Sequence, residues 1–283
     1  MENTMIDRSS VAVITGGCGG MGIACARRLG KRHRLLLADI DTERLNAAAD
    51  DLTSDGYDVA VMSGNLSEPD VVVALAEKSK ALGNLGALIH TAGLSPTMAD
   101  PRRIMEFNIV ATARIERAFL PLAGPGSVAV LIASIAGHVD RFGDRHDAIL
   151  RDPLAVNFWD RLADDAATTD AAYIISKRGV IRYTEQVVAD WGARGARIVS
   201  VSPGTIATPM GRLEFANQPA MKQMVDLTPI QRWGEADDIA AAIEFLCSEA
   251  ASYISGTDLR VDGGITARLR TLTTAKSGAK PPA

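Results

Sequence analysis

Tyr173 and Lys177 stand four residues apart in an alanine-rich stretch of helical periodicity, 171–193. Their side chains therefore share one helix face, one turn apart. That spacing has a chemical use. A tyrosine titrates near pH 10, too high for a proton carrier at neutral pH, and a neighbouring ammonium favours the phenolate. Such a pair can pass a proton to or from an oxygen. Taken alone, the pair reads better as an amphipathic helix with an ordinary surface lysine.

Two other polar residues join it. Ser134 closes the apolar run 128–133, which puts its hydroxyl at the carboxyl end of a strand, where open α/β sheets bind ligands. Asn108 lies inside a helical stretch, an unfavourable place for asparagine unless its amide has a task. Singly, Ser134 reads as a strand-end cap and Asn108 as a helix-surface residue.

A glycine-rich turn, Thr15-Gly16-Gly17-Cys18-Gly19-Gly20-Met21-Gly22, follows the first apolar run and leads directly into a helix. Glycines let backbone approach a pyrophosphate closely, and the helix start offers free N–H groups and a positive dipole end. Between the first strand and first helix of a βαβ unit this loop predicts dinucleotide binding. Asp39 ends the next apolar run, 23 residues after Gly16. A carboxylate there can accept from the adenosine ribose hydroxyls and repels a 2′-phosphate. No arginine or lysine stands inside the glycine loop or directly after Asp39. The expected cofactor is therefore NAD(H); the plainer role for Asp39, shared with Asp41, is a turn cap.

Elements that could hold these residues alternate along the chain. Short apolar runs at 11–15, 34–39, 58–63, 87–91, 127–134, 196–202 and 259–261 are separated by longer helical stretches at 22–31, 43–52, 70–82, 103–120 and 171–193, with Asp41 and Ser67 as expected caps. Continuous apolar strands indicate a sheet buried on both faces, and strand–helix alternation makes it parallel. The expected fold is α/β, a doubly wound Rossmann fold with a seven-stranded parallel sheet and helices on both faces. One domain spans 1–270, followed by a tail over 271–283.

Among 283 residues, 47% are hydrophobic and 23% charged, and the net charge of -4 gives no reason to expect nucleic acid or an anionic membrane as partner. The uncharged stretch 118–139 holds Pro121, Gly124, Pro125 and Gly126, which break a spanning helix. The polar first ten residues carry no secretory pattern. Cys18, Cys25 and Cys247 lack paired spacing and read as reduced thiols of a cytoplasmic protein.

In this order, these motifs resemble the short-chain dehydrogenase/reductase family from about residue 10 to 264. Thr15-Gly16-x-x-x-Gly20-x-Gly22 matches its cofactor loop, and Asn108, Ser134, Tyr173 and Lys177 match its catalytic tetrad. Pro203-Gly204 with Ile206 and Thr208 matches the segment flanking the nicotinamide, and Val261-Asp262-Gly263-Gly264 matches the family's ending. The resemblance implies that Tyr173 is the acid–base, that Lys177 tunes it and holds the nicotinamide ribose, and that Ser134 bonds the substrate oxygen. It implies that Asn108 anchors a water leading from Lys177 to solvent. Thr15, Gly16, Gly20, Met21, Gly22, Asp39, Asn65, Leu66, Ala92, Gly93, Pro203, Gly204, Ile206 and Thr208 would hold the cofactor. The implied reaction is hydride transfer between nicotinamide and a secondary alcohol or ketone.

The chain departs from the pattern in three places. His90-Thr91-Ala92-Gly93 replaces an Asn-Asn-Ala-Gly segment, which leaves the stabilisation of the central strands open. Asn65 stands for an aspartate near the adenine, where its carbonyl can still accept from the adenine amine. The separation of Ser134 and Tyr173 is unusually long, so about 138–170 must form an insertion. Pro153, Leu154, Phe158, Trp159 and Leu162 suggest a short amphipathic helix there. A similar insertion marks the bacterial 3α-hydroxysteroid dehydrogenase/carbonyl reductase branch, which implies a homodimer, with a homotetramer as the alternative. His138, Asp140, Asp144, His146 and Asp147 fit no standard metal spacing and are interleaved with arginines, so a solvated charge network is expected and no metal.

A lid over about 205–226 carries Met210, Leu213, Phe215, Met221 and Met224, residues suited to a lipophilic substrate such as a hydroxysteroid or equally to packing on one another. Cys18 is expected to fill the tight loop rather than to react. The second functional reading is a non-catalytic NAD(H)-binding sensor or scaffold on the same fold.

Overall fold

In the computed structural model, residues 9–139, 143–209, 211–212 and 219–277 are described. Seven strands form one sheet: β1 Ser10–Thr15, β2 Arg34–Asp39, β3 Val59–Ser63, β4 Asn84–His90, β5 Val128–Ile132, β6 Arg197–Pro203 and β7 Asp258–Val261. All pairings are parallel, in the order β3-β2-β1-β4-β5-β6-β7. The expected doubly wound fold is thus present.

Alternation along each strand explains why these runs became a central sheet. Val11 and Val13 enter one core cluster, whereas Ala12 and Ile14 enter another; Leu36 and Leu35 divide likewise, as do Leu131 and Val130. The central strands β1, β2, β4 and β5 are apolar on both faces because each feeds two cores, whereas β6 and β7 turn Ser200, Ser202, Asp258 and Arg260 to one side. The helices α3 Pro69–Leu82, α5 Ala111–Phe119 and α7 Thr169–Gly192 cover the first, through Leu75, Phe119 and Trp191. The helices α1 Gly20–Leu29 and α2 Thr42–Ser54 cover the second, together with the helix Ala236–Leu246, through Cys25, Leu45 and Ile243.

The order in which strands are added reverses between β1 and β4, which stand side by side and parallel with their connections leading to opposite halves of the sheet. The crevice outside the carboxyl ends of strands at such a switch point is where a ligand fits.

The helix expected over 103–120 is three pieces: α4 Pro101–Met105, a π turn Glu106–Val110 and α5. One extra residue in the π turn breaks the helical register at Asn108, and single π turns of this kind cluster at functional sites. Asp41 caps α2 as expected, accepting from the Arg44 amide. Ser67 does not cap α3; Glu68 takes that position, with Pro69 in the first turn.

The insertion contains a helix, but at α6 Asp144–Leu150, not at Pro153. After it, amide bonds of mixed span, such as Phe158 to Ala155 and Ala166 to Leu162, make a chain of turns. Phe158 and Leu162 are both buried, but the face they form belongs to packed turns and not to the expected amphipathic helix. The stretch expected to be a tail is helical as far as Ser277, within the helix Ile265–Ser277. Ile265 is buried there and Leu269 and Leu272 are half-buried, a helical spacing visible in the sequence. No helix among the described residues is long and apolar enough to cross a membrane.

Candidate active site

The glycine loop leaves β1 at Thr15 and turns at Gly16, whose φ of +67° is open to glycine at little cost. A Cβ on Gly16 would come within 2.7 Å of Thr91 Oγ1 and 2.8 Å of the Ala92 nitrogen, and one on Gly22 would overlap the Gly16 carbonyl. The loop and the end of β4 therefore touch backbone to backbone. Gly19 caps α1 without a side-chain bond, and no acidic residue stands in the first turn. The first-turn amides and the positive helix end thus meet no competing carboxylate of their own helix, as an anion cradle requires.

Asp39 faces the same loop. Its carboxylate accepts from the amides of Cys18 at 3.3 Å, Ile40 at 2.8 Å and Asp41 at 3.4 Å. It is a turn cap and a fixed anion at once. Cys18 is 5% exposed, and burial, then Asp39, push its thiol up to about 12, so no thiolate is available at neutral pH. Arg44 brings a cation to this corner, donating to the Cys18 carbonyl at 3.3 Å. Arg44 stands neither inside the glycine loop nor directly after Asp39, where the sequence gives no cation; from the first turn of α2 its side chain reaches back to the loop.

On the other flank Leu66 is buried, and the Asn65 carbonyl oxygen accepts from the amide and hydroxyl of Ser67, at 3.2 and 2.8 Å. Asn65 closes an Asx turn, with its amide nitrogen 3.2 Å from Glu68 Oε1.

At the centre, Lys177 is buried and donates to the Ile132 carbonyl at 2.9 Å. Burial lowers it from 10.5 to about 8, so it is still a cation at pH 7. Its Nζ lies 5.8 Å from the centre of the half-buried Tyr173 ring. Gly93 leaves room for this ammonium: a Cβ there would stand 3.4 Å from Lys177 Nζ and 3.5 Å from Asn108 Oδ1. Asn108 is 2% exposed. It accepts from the Leu94 amide at 2.7 Å and donates to the Leu94 carbonyl at 2.9 Å and to Ser176 Oγ at 3.2 Å. Its side chain thereby pins the loop after β4 to α7. Ser134 begins the 3₁₀ turn Ile135–His138 and accepts from the Ala136 amide at 3.2 Å, which leaves its hydrogen free to donate outward.

His90 is a buried link between β1 and the π turn. It is 2% exposed, 2.7 Å from Thr15 Oγ1 by Nδ1 and 2.9 Å from Thr112 Oγ1 by Nε2. Thr112 spends its hydrogen on the Asn108 carbonyl at 2.7 Å. Nε2 must therefore carry the ring proton, and Thr15 donates to Nδ1. Burial, with the Lys177 charge second, lowers His90 to about 3 and keeps it neutral. A continuous chain runs from the glycine loop to the π turn. Thr91 adds a second link between β1 and β4, donating to the Thr15 carbonyl at 2.7 Å. A histidine ending an apolar strand was the available signal.

On the last wall, Gly204 follows Pro203, and a Cβ on it would stand 2.8 Å from Asp262 Cα. Asp262 accepts from the amides of Gly264 and Thr266. Ile206 bridges to Gly234, and the Thr208 methyl would be 3.1 Å from a Cβ on Gly20, so this segment folds over the glycine loop. Met210, Leu213 and Phe215 of the expected lid lie outside the described residues; Met224 sits half-buried in the helix Pro219–Leu227.

The acidic and histidine residues of the insertion go to separate partners: His138 to Asp258, His146 to Asp165, and Asp147 to Arg178 and Arg182. Asp140 lies outside the described residues. Among the described residues no group of three His, Cys, Asp or Glu side chains is placed to hold a metal ion.

Known proteins are similar to this chain in sequence and fold. Residues 10–145 match the family model described as short chain dehydrogenase, and residues 160–266 match the one described as Enoyl-(Acyl carrier protein) reductase. A short-chain dehydrogenase/reductase of Alternaria brassicicola is 32% identical over 270 residues, spanning 93% of this chain and 98% of its own. The galactitol 2-dehydrogenase (L-tagatose-forming) of Cereibacter sphaeroides is 29% identical over 265 residues, spanning 90% and 94%. A solved short-chain dehydrogenase/reductase structure from Brucella melitensis, named as glucose/ribitol dehydrogenase, superposes with a TM-score of 0.73 at 27% identity, over 91% of this chain and 97% of that one.

Proposed function

Because the chain belongs to the short-chain dehydrogenase/reductase family, we propose that it is an NAD(H)-dependent oxidoreductase interconverting a secondary alcohol and a ketone. The observation that carries the reading is the buried cation Lys177 beside the Tyr173 ring, at the carboxyl end of the sheet next to the glycine cradle. The cradle suits a dinucleotide: it has uncapped helix amides, backbone that no Cβ would allow so close, and the Asp39 carboxylate for ribose hydroxyls. Nicotinamide supplies or accepts the hydride when bound.

The remaining work falls to side chains of this chain. Tyr173 gives its hydroxyl proton to the substrate oxygen during reduction and takes it back during oxidation. Lys177, charged below about pH 8, stabilises the phenolate that this leaves. Ser134 donates its free hydrogen to the same oxygen, fixing the carbonyl and bearing part of its developing charge. Thr15, Gly16, Gly20, Met21, Gly22, Asn65, Leu66, Ala92 and Gly93 would line the adenosine and pyrophosphate, and Pro203, Gly204, Ile206 and Thr208 the nicotinamide. The one-turn spacing of Tyr173 and Lys177 supports C=O rather than C=C reduction, since family enoyl reductases set these residues further apart.

The proposed substrates are lipophilic secondary alcohols or ketones, hydroxysteroids included. Three free thiols fit a reducing cytoplasm. The proposed assembly is a homodimer, with a homotetramer as the alternative.

The test follows nicotinamide absorbance with NAD+ or NADP+ over hydroxysteroids and simpler secondary alcohols. Turnover confined to NAD+ supports the reading, and preference for NADP+ overturns the cofactor assignment. Tyr173→Phe separates an enzyme, which loses turnover but keeps NADH affinity, from a sensor with no turnover to lose.

A further inference from the structure

Behind Ser134 lies a buried polar cluster that the proton relay does not use. His138 ends the turn that Ser134 begins, and its Nε2 is 2.8 Å from Asp258 Oδ2 and 3.2 Å from Ser202 Oγ. Asp258 Oδ1 accepts from Ser200 Oγ at 2.6 Å and Ser202 Oγ at 3.0 Å. Both serines have spent their single hydrogens on Asp258, so His138 Nε2–H is the donor to Oδ2. The side chains of His138 and Asp258 are 17% and 6% exposed.

Apolar residues would fill this space without the desolvation that a buried carboxylate suffers. What the cluster adds is direction. On its other side the turn is already pressed against α7, where a Cβ on Gly137 would stand 2.8 Å from the Lys177 carbonyl carbon and the Arg178 nitrogen. The turn is thus clamped between the helix bearing Tyr173 and Lys177 and the strands β6 and β7. Ser202 directly precedes Pro203 and Gly204, so the same cluster holds the strand end that enters the nicotinamide segment.

We propose that His138, through Asp258 and Ser202, is a positioning residue that sets the Ser134 hydroxyl in register with Tyr173 and the substrate oxygen. The proposal rests on the carbonyl-reduction reading above, and its test keeps the two apart. His138→Ala removes the donor, whereas His138→Gln restores an N–H of similar reach. In the full-length protein, three quantities are measured: steady-state ketone reduction, NADH dissociation by fluorescence titration, and hydrogen exchange of the amides of 134–139.

For His138→Ala, kcat should fall about 10- to 100-fold, the range expected when an orienting contact is lost, with NADH affinity within about twofold of wild type. Exchange at 134–139 should accelerate, and His138→Gln should recover most of both losses. The proposal is overturned if His138→Ala keeps kcat within about twofold, if NADH affinity falls in parallel with kcat, or if the glutamine variant behaves like alanine. Should His138→Ala fail to fold, Ser202→Ala carries the same test with a smaller expected loss of about fivefold in kcat. If wild type turns over no alcohol or ketone, the reaction assignment fails, and exchange alone decides: acceleration at 134–139 supports the positioning role and unchanged exchange refutes it.

Discussion

Replacing Lys177 by methionine should make the folded protein more stable at pH 7 while abolishing turnover. The ammonium is buried, with the Ile132 carbonyl as its hydrogen-bond partner, and burial alone lowers it from 10.5 to about 8. Below pH 8 both folded and unfolded chains carry the proton, and the folded state bears the full penalty. Between about 8 and 10.5 the unfolded chain binds more protons, so wild-type stability rises with pH. That difference corresponds to about 3 kcal/mol at neutral pH. Methionine has similar length and no charge, but loses one hydrogen bond and leaves the Ile132 carbonyl a donor short, about 1–2 kcal/mol. The net expected gain is about 1–2 kcal/mol at pH 7, turning into a small net loss of about 0.5–1 kcal/mol by pH 10, where most of the wild-type penalty has gone. Equilibrium urea unfolding of both proteins at the two pH values measures it, since other titrating groups cancel in the double difference. A methionine variant less stable than wild type by the same margin at pH 7 and pH 10 would refute the argument that burying this charge is a sacrifice made for catalysis.

Three further outcomes are expected. Asp39→Ser removes the anion that would face a 2′-phosphate, so KM for NAD+ should rise about tenfold and NADP+ turnover should improve; unchanged cofactor preference in parallel assays refutes the role given to Asp39. His90→Leu leaves the Thr15 hydroxyl without its acceptor and Thr112 without its incoming donor, and should destabilise by about 2–4 kcal/mol in urea melts. In wild type, His90 is lowered to about 3, so the unfolded chain takes up a proton the folded one refuses, and stability falls as pH drops from 6.5 toward 3; this part of the acid sensitivity should vanish in His90→Leu. Asp147→Asn uncouples α6 from Arg178 and Arg182 on α7, with an expected loss of about 2 kcal/mol and faster proteolysis within 143–168; unchanged cleavage counts against these ion pairs holding α6 on α7.

What local pattern determines, the sequence determined here. Two-sided apolar runs alternating with helical stretches required a buried parallel sheet, because every strand residue must face one core or the other. The glycine loop between the first strand and first helix, Asp39 after the second strand, and the one-turn spacing of Tyr173 and Lys177 were legible for the same reason: each depends on neighbours within a few residues or on the order of elements. The helix over 265–277 is the exception: the sequence reading expects a tail from 271, although Ile265, Leu269 and Leu272 keep a helical spacing.

Tertiary structure decided the rest. The sequence shows a histidine at 90 but not that Thr15 and Thr112, 75 and 22 residues away, would fix its tautomer and bury it neutral. It shows His138 among charged residues of the insertion but not Asp258, 120 residues on, which turns it from a surface group into an anchor. The insertion's helix formed at Asp144–Leu150, where Asp147 finds two arginines of α7, and the apolar spacing after Pro153 became packed turns instead. Each of these depends on which distant segment supplies the partner. Periodicity records which way a side chain points along its own element, and only packing records what it meets there.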